Sequence, residues 1–318
     1  MIKTRLLGLL SHAKKYIVYQ VVWQWLALLC QILMIYSVSM LLEQALFQKV
    51  STDTAVRYGG IVIFSLLLRF FCDRQASHAS YHASVDVKRI LRDKIYEKLL
   101  RLGASYREKA ATSEVVQMAA EGVEQLETYF GKYLSQLFYS LLAPLTLFVI
   151  LSFVNWKASL VLLVCVPLIP VSIVAVQKIA KKLLNKYWGI YTELGDSFLE
   201  NLQGLTTLKI YRSDENKARK MDEESQRFRQ ITMKVLTMQL NSTSVMDIIA
   251  YGGAAVGMIV TLSQFTAGKV SVHGALMLIL LAAEFFIPLR LLGSFFHTAM
   301  NGMAASDKIF ALLDLTEP

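Results

Sequence analysis

A chain of 318 residues that is 55% hydrophobic and only 18% charged has too little polar residue content to cover a soluble domain. Mean hydropathy is +0.45, so much of the apolar excess must face lipid. The net charge of +9 sits in a few polar blocks between long apolar runs, a pattern of membrane orientation and not of a nucleic-acid surface.

The N-terminal Lys3, Arg5, Lys14 and Lys15 precede a long apolar segment and not a short one with a small-residue cleavage site, which predicts a retained first span. A bilayer core takes about 20 apolar helical residues. Six segments meet this length, approximately Ile17–Phe47, Ala55–Cys72, Tyr133–Trp156, Ala158–Gln177, Val235–Gln264 and Val270–Phe296. Spans three and four lack Asp, Glu, Lys and Arg and are parted only at Asn155-Trp156-Lys157, which predicts a tight turn at one membrane face. Cys30, Cys72 and Cys165 lie in or at the ends of these runs without CxxC spacing, so they read as packing residues and suggest no metal site.

The connections are unequal. Those around Gln48–Thr54, Trp156-Lys157 and Phe265–Lys269 are short, while those near 73–132 and 178–234 are long and carry most of the basic residues. The positive-inside rule then places both termini and both long connections in the cytoplasm of a cell-membrane protein, and Thr52, Trp156 and Thr266 outside. Neither long connection contains Pro. Val87, Ile90, Leu91, Ile95, Leu99 and Leu102 form one helical apolar stripe, and Phe198, Leu202, Leu205 and Leu208 another. Both arms are therefore expected to be helical extensions of the spans, each stripe covered by a partner helix.

Local words then become recognisable. Thr112-Ser113-Glu114-Val115-Val116 with Glu124-Gln125-Leu126-Glu127, and Glu200-Asn201-Leu202-Gln203-Gly204 through Thr207-Leu208-Lys209-Ile210-Tyr211, resemble the two arms of type I ABC exporter transmembrane domains. Asn155-Trp156 with Pro167-Leu168-Ile169-Pro170, the stretch Phe228–Leu236, and Glu284-Phe285-Phe286-Ile287-Pro288-Leu289-Arg290 resemble the CydD-type subunits of CydDC exporters, which support cytochrome bd assembly. The resemblance implies an all-α membrane domain over residues 1–318, with 299–318 leading toward a nucleotide-binding domain. It also implies ATP bound by that domain, a thiol cargo (cysteine or glutathione) or haem, and a partner chain in a homodimer or CydC-like heterodimer. It further implies coupling tips near Tyr106–Ala111 and Tyr211–Asn216, with Tyr106 and Tyr211 as anchors and Arg107, Arg212 and Asp214 as polar partners.

No GxxxxGK[ST] word occurs, so these residues hold no ATPase site. The expectation is either a piece of a longer chain or a chain served by a separate ATPase subunit. Ionisable residues within spans are functional candidates by default: Arg69, Asp247, Glu284, Arg290 and His297 for a substrate cavity, with Glu43 at a span end. They are equally readable as helix-locking pairs, Arg69 with Asp247 or Arg290 with Glu284. His78 and His82, one turn apart, are candidates for haem or metal ligation, or for plain packing. Pro144, Pro167, Pro170 and Pro288 predict kinks, and Gly252-Gly253 with Gly257 a small-residue contact face. Rival readings are an exporter-fold importer of a siderophore or cofactor, and a non-transporting membrane scaffold or sensor.

Overall fold

The computed structural model describes residues 11–47, 51–103, 115–116 and 118–317, with the side chains of 11–13, 176–181, 297–298, 301 and 304 outside that description. Among the described residues there is no strand. The helices are α1 (Ser11–Phe47), α2 (Thr52–Leu102), α3 (Val123–Thr128), α4 (Leu134–Cys165), α5 (Leu168–Gln203), α6 (Leu205–Ile210), α7 (Asp214–Thr266), α8 (Val272–Ala282) and α9 (Ile287–Leu313). Wide π turns at Met118–Gly122 and Tyr129–Tyr133 flank α3, and a 3-10 turn at Ala283–Phe285 separates α8 from α9.

Among the described residues, five helical stretches are long and apolar enough to cross a membrane. One of them, Met118–Ala175, carries two apolar runs separated by a break at Asn155, whose backbone is extended at φ −156°, ψ 108°. Asn155 also caps the second run, because its Oδ1 accepts the Ala158 N–H at 3.0 Å. The expected turn is thus built by one residue that leaves the helix and restarts it. The helix of the second run breaks at Val166-Pro167, and Pro170 falls in the first turn of α5, where its missing N–H costs nothing. Arm and span are continuous in α2 and α7, of 51 and 53 residues.

The chain forms two compact units: residues 1–167 with 249–318, and residues 168–248. In the first, α1 packs along α2 and also meets α4 and α8, while α9 packs on α3 and α4. The polar ties are few. Trp25 Nε1 donates to Thr146 Oγ1 at 3.0 Å, and Gln136 Nε2 donates to the Pro288 carbonyl at 2.8 Å. Cys30 of α1 and Cys72 of α2 are both free and buried. The first predicted stripe is covered: Val87, Leu91, Ile95 and Leu102 are buried, and α2 packs on α3 and the turn at 129–133. That segment is itself the densest part of the core, with Val123, Leu126, Tyr129, Phe130, Tyr133 and Leu134 all buried. Lys88 ties the same elements together through Glu124 at 2.7 Å and Glu127 at 2.5 Å, and Arg92 adds a 2.7 Å bond to Glu124.

Of the predicted glycine face, Gly253 and Gly257 do the packing, the first against Phe286 and Cys165 and the second against Leu162. Gly252 meets nothing within 4 Å, so the face is narrower than expected, because residues one apart on a helix point 100° apart.

In the second unit, Phe228 of α7 lies 5.4 Å from the Tyr187 ring and 5.6 Å from Tyr191, both on α5. In the second predicted stripe Phe198, Leu202 and Leu205 are exposed among the described residues, so the helix that would cover this face is not found within the unit.

Candidate functional site

Glu284 and Arg290 are arranged differently from the pair the sequence suggests. Glu284 sits in the 3-10 turn Ala283–Phe285. The turn arises at Pro288, which has no N–H to offer the Glu284 carbonyl four residues back, so the regular helix is interrupted there. Phe286 instead donates its N–H to Ala283 O at 3.0 Å. The Glu284 carboxylate accepts a 2.9 Å hydrogen bond from Gln31 Nε2 of α1. Its expected ion pair with Arg290 is not formed, and among the described residues no Lys or Arg makes an ion pair with it.

Arg290, half-buried in the first turn of α9, lies over the Tyr251 ring with its Cζ 5.7 Å from the centroid. A guanidinium on an aromatic face is a stable arrangement in an apolar setting and explains its orientation. Arg69 reaches Asp73 of its own helix, Nε to Oδ2 at 3.7 Å. This i, i+4 pair forms because both residues share one face of α2. Asp247 is half-buried in the second unit. Glu43 is a cap: its Oε1 accepts the His273 N–H at 3.2 Å in the first turn of α8. The backbone of His297 belongs to α9, and its side chain lies outside the described residues.

Gln31 was not singled out by the sequence, since a glutamine in a span carries no charge to notice. The signal was its spacing: Gln20, Gln24 and Gln31 recur at helical intervals along α1. Each has a buried Oε1 with no hydrogen-bond partner.

His78 and His82 are brought together, with Nε2 atoms 3.3 Å apart and ring centroids 4.4 Å apart. Tyr16 stacks on His82 at 5.7 Å. Neighbours on one helix face cannot approach a haem iron from opposite sides of the macrocycle, so at most one of them fits as an axial ligand. Among the described residues no group of three His, Cys, Asp or Glu is placed to hold a metal ion.

Of the two predicted tips, Tyr106 and Arg107 lie outside the described residues. At the other, α6 ends in a tight cap. The Ser213 N–H reaches Leu208 O at 2.9 Å, and Arg212 takes the left-handed conformation at φ 52°. The cap turns the chain into α7, whose first turn carries Asp214 and Glu215. Ile210 and Tyr211 are left projecting, 72% and 77% exposed. Large side chains held outward on an ordered turn are suited to burial in another protein's cleft.

Over 92% of its length the chain is 58% identical to an uncharacterized ABC transporter ATP-binding protein of Haemophilus influenzae, covering 52% of that protein. It is 25% identical over 88% of its length to the glutathione/L-cysteine transport system ATP-binding/permease protein CydD of the same organism, covering 49% of it. It is 24% identical over 70% of its length to the corresponding CydC of Bacillus subtilis, covering 39% of it. The chain thus spans about half the length or less of these ATP-binding relatives. The model of the ABC transporter transmembrane region matches residues 17–289, and with its long apolar helices and helical arms the chain belongs to that family of membrane transport proteins.

Proposed function

We propose that this chain is the membrane-spanning part of an ATP-driven exporter of a small thiol, cysteine or glutathione, and that haem-related cargo is the second candidate. The observation that carries the reading is the match of most of the chain to both CydD and CydC proteins of glutathione/L-cysteine transport systems. The chain works beside a second exporter-type chain, as a CydC-like heterodimer or a homodimer, in the cell membrane with both termini cytoplasmic. Support for the partner comes from the uncovered stripe of Phe198, Leu202 and Leu205, an apolar surface that a neighbouring helix would remove from contact with water. The link to cytochrome bd assembly rests on the same resemblance.

In the mechanism, nucleotide-binding domains bind ATP and close on each other. The projecting Tyr211 tip, and the tip near Tyr106, are held by those domains and follow them. The spans then shift the polar groups near Glu284 from access on one face to access on the other. Arg212 and Asp214 orient the tip in its cleft, and Arg69, Asp247, Arg290 and His297 complete the polar lining of the path.

The experiment is uptake of labelled cysteine and glutathione by inside-out vesicles carrying the full-length transporter with its partner. ATP-dependent accumulation of either solute, abolished by an ATPase-dead variant, is the expected result. Vesicles that hydrolyse ATP normally and accumulate neither thiol nor haem would overturn the cargo assignment.

A further inference from the structure

We propose that Glu284 and Gln31 together form a subsite for a primary ammonium group on the transported solute. This rests on the exporter reading above and deepens it by naming what the site recognises.

Donors and acceptors do not balance at this pair. Gln31 spends its Nε2 on the Glu284 carboxylate at 2.9 Å. Its Oε1 is then buried without a partner. The Glu284 carboxylate has acceptor capacity left over, because one oxygen takes the amide and an ionised carboxylate accepts at about four positions. Two acceptor groups therefore stand side by side, one of them charged, with a single donor between them. No ion pair of Glu284 is formed among the described residues. Arg69 reaches Asp73 of its own helix.

A carboxylate in an apolar span without a counter-charge is expensive, and so is a buried amide oxygen without a donor. One chemical group removes both costs. An ammonium carries a positive charge and three N–H donors with no acceptor, so it can serve the carboxylate and the Gln31 oxygen at once. A neutral hydroxyl offers one donor and no charge, and an anion worsens both. The fitting class is thus a solute with a free primary amine, which both proposed thiol cargoes carry.

The break at Pro288 makes the subsite suited to transport. In the 3-10 turn Ala283–Phe285 the regular i to i+4 ladder is already interrupted, so this backbone has fewer bonds to break when α8 and α9 move. Gln31 and Glu284 lie on different helices, α1 and the α8–α9 turn, so a relative shift of these elements separates the two acceptors and releases the ligand.

The test is calorimetric titration of the full-length transporter in phosphatidylglycerol nanodiscs, where no lipid amine competes. The ligands are cysteine, S-methylcysteine, N-acetylcysteine and 3-mercaptopropionate, which lacks the amine. Wild-type protein is expected to bind the two amines at least about tenfold more tightly than N-acetylcysteine and 3-mercaptopropionate, the scale of one charged hydrogen bond. E284Q is expected to lose that preference and E284D to retain most of it. Equal wild-type affinity for cysteine and both amine-free thiols overturns the subsite while leaving the thiol cargo standing. Equal affinity for cysteine and S-methylcysteine, with the amine preference intact, upholds the subsite and removes the thiol cargo instead. Failure of both amines to bind overturns the subsite. The wild-type comparison decides the matter even if a Glu284 variant does not fold.

Discussion

Ser80 of α2 donates its hydroxyl to the Gly131 carbonyl at 2.6 Å, which fastens the long helix to the π turn Tyr129–Tyr133. The contact is close because position 131 has no side chain: a Cβ there would run into Ser84 Oγ. Gly131→Ala is therefore expected to destabilise the protein by about 1–3 kcal/mol, the usual cost of overpacking. The double variant Gly131→Ala/Ser84→Ala should recover most of the loss, since it removes the colliding oxygen. Thermal unfolding of the detergent-solubilised protein measures both.

The network of Lys88, Arg92, Glu124 and Glu127 makes stability depend on pH in a stated direction. Hydrogen bonds from Lys88 and Arg92 hold the Glu124 carboxyl below its ordinary range, and bonds to Glu124 and Glu127 push the Lys88 ammonium up. A lowered acid contributes fully above its unfolded value, near pH 4.3, and loses that contribution as pH falls through the lower folded value. A raised base contributes fully below about pH 10.4 and loses it as pH rises through the higher folded value. Glu124 is about half exposed, at 47%, so screening limits the effect. Glu124→Gln is expected to cost up to about 1 kcal/mol at pH 7, with the gap to wild type closing below about pH 4 and shrinking in high salt. Unfolding curves collected across pH and salt check this.

Much of the fold was legible because lipid and helix periodicity impose strong patterns. The apolar runs, the turn at Asn155 and the buried stripe on α2 could all be read from residue type and spacing. The partners of the intramembrane charges could not. Arg69 and Asp73 share a helix face, but the spacing does not say which carboxylate an arginine on that face takes. Glu284 with Gln31 was hidden for a different reason, since the pair joins residues 253 apart and one member is uncharged. The stripe at Phe198 is legible as apolar, but periodicity does not show which helix covers it.

The tip at Tyr211 allows side-chain chemistry to be separated from turn geometry. Arg212 occupies a left-handed position that glycine adopts without strain. Arg212→Gly should thus leave folding unchanged or slightly improved while deleting the charge. Tyr211→Ala deletes the exposed ring. Both are expected to lower cargo-stimulated ATPase of the complete transporter severalfold, Tyr211→Ala more strongly, at unchanged thermal stability. Wild-type coupling in both variants removes this tip from the mechanism.

Topology is checked by single cysteines at Thr52 and Asp214, both exposed, in a cysteine-free background. In intact cells the Thr52 position should react with an impermeant maleimide and the Asp214 position should not, until the membrane is opened. Reaction of both from outside contradicts six crossings.

The unbroken run of α2 also sets a scale of movement. Fifty-one residues of one helix make a rod of about 76 Å, more than twice the apolar thickness of a bilayer. A rod pivoting near one end amplifies: a tilt of about 5° sweeps its far end through roughly 6–7 Å, more than one helical turn. Small adjustments near the pivot and travel of several ångströms far from it are then one rigid motion seen at two radii.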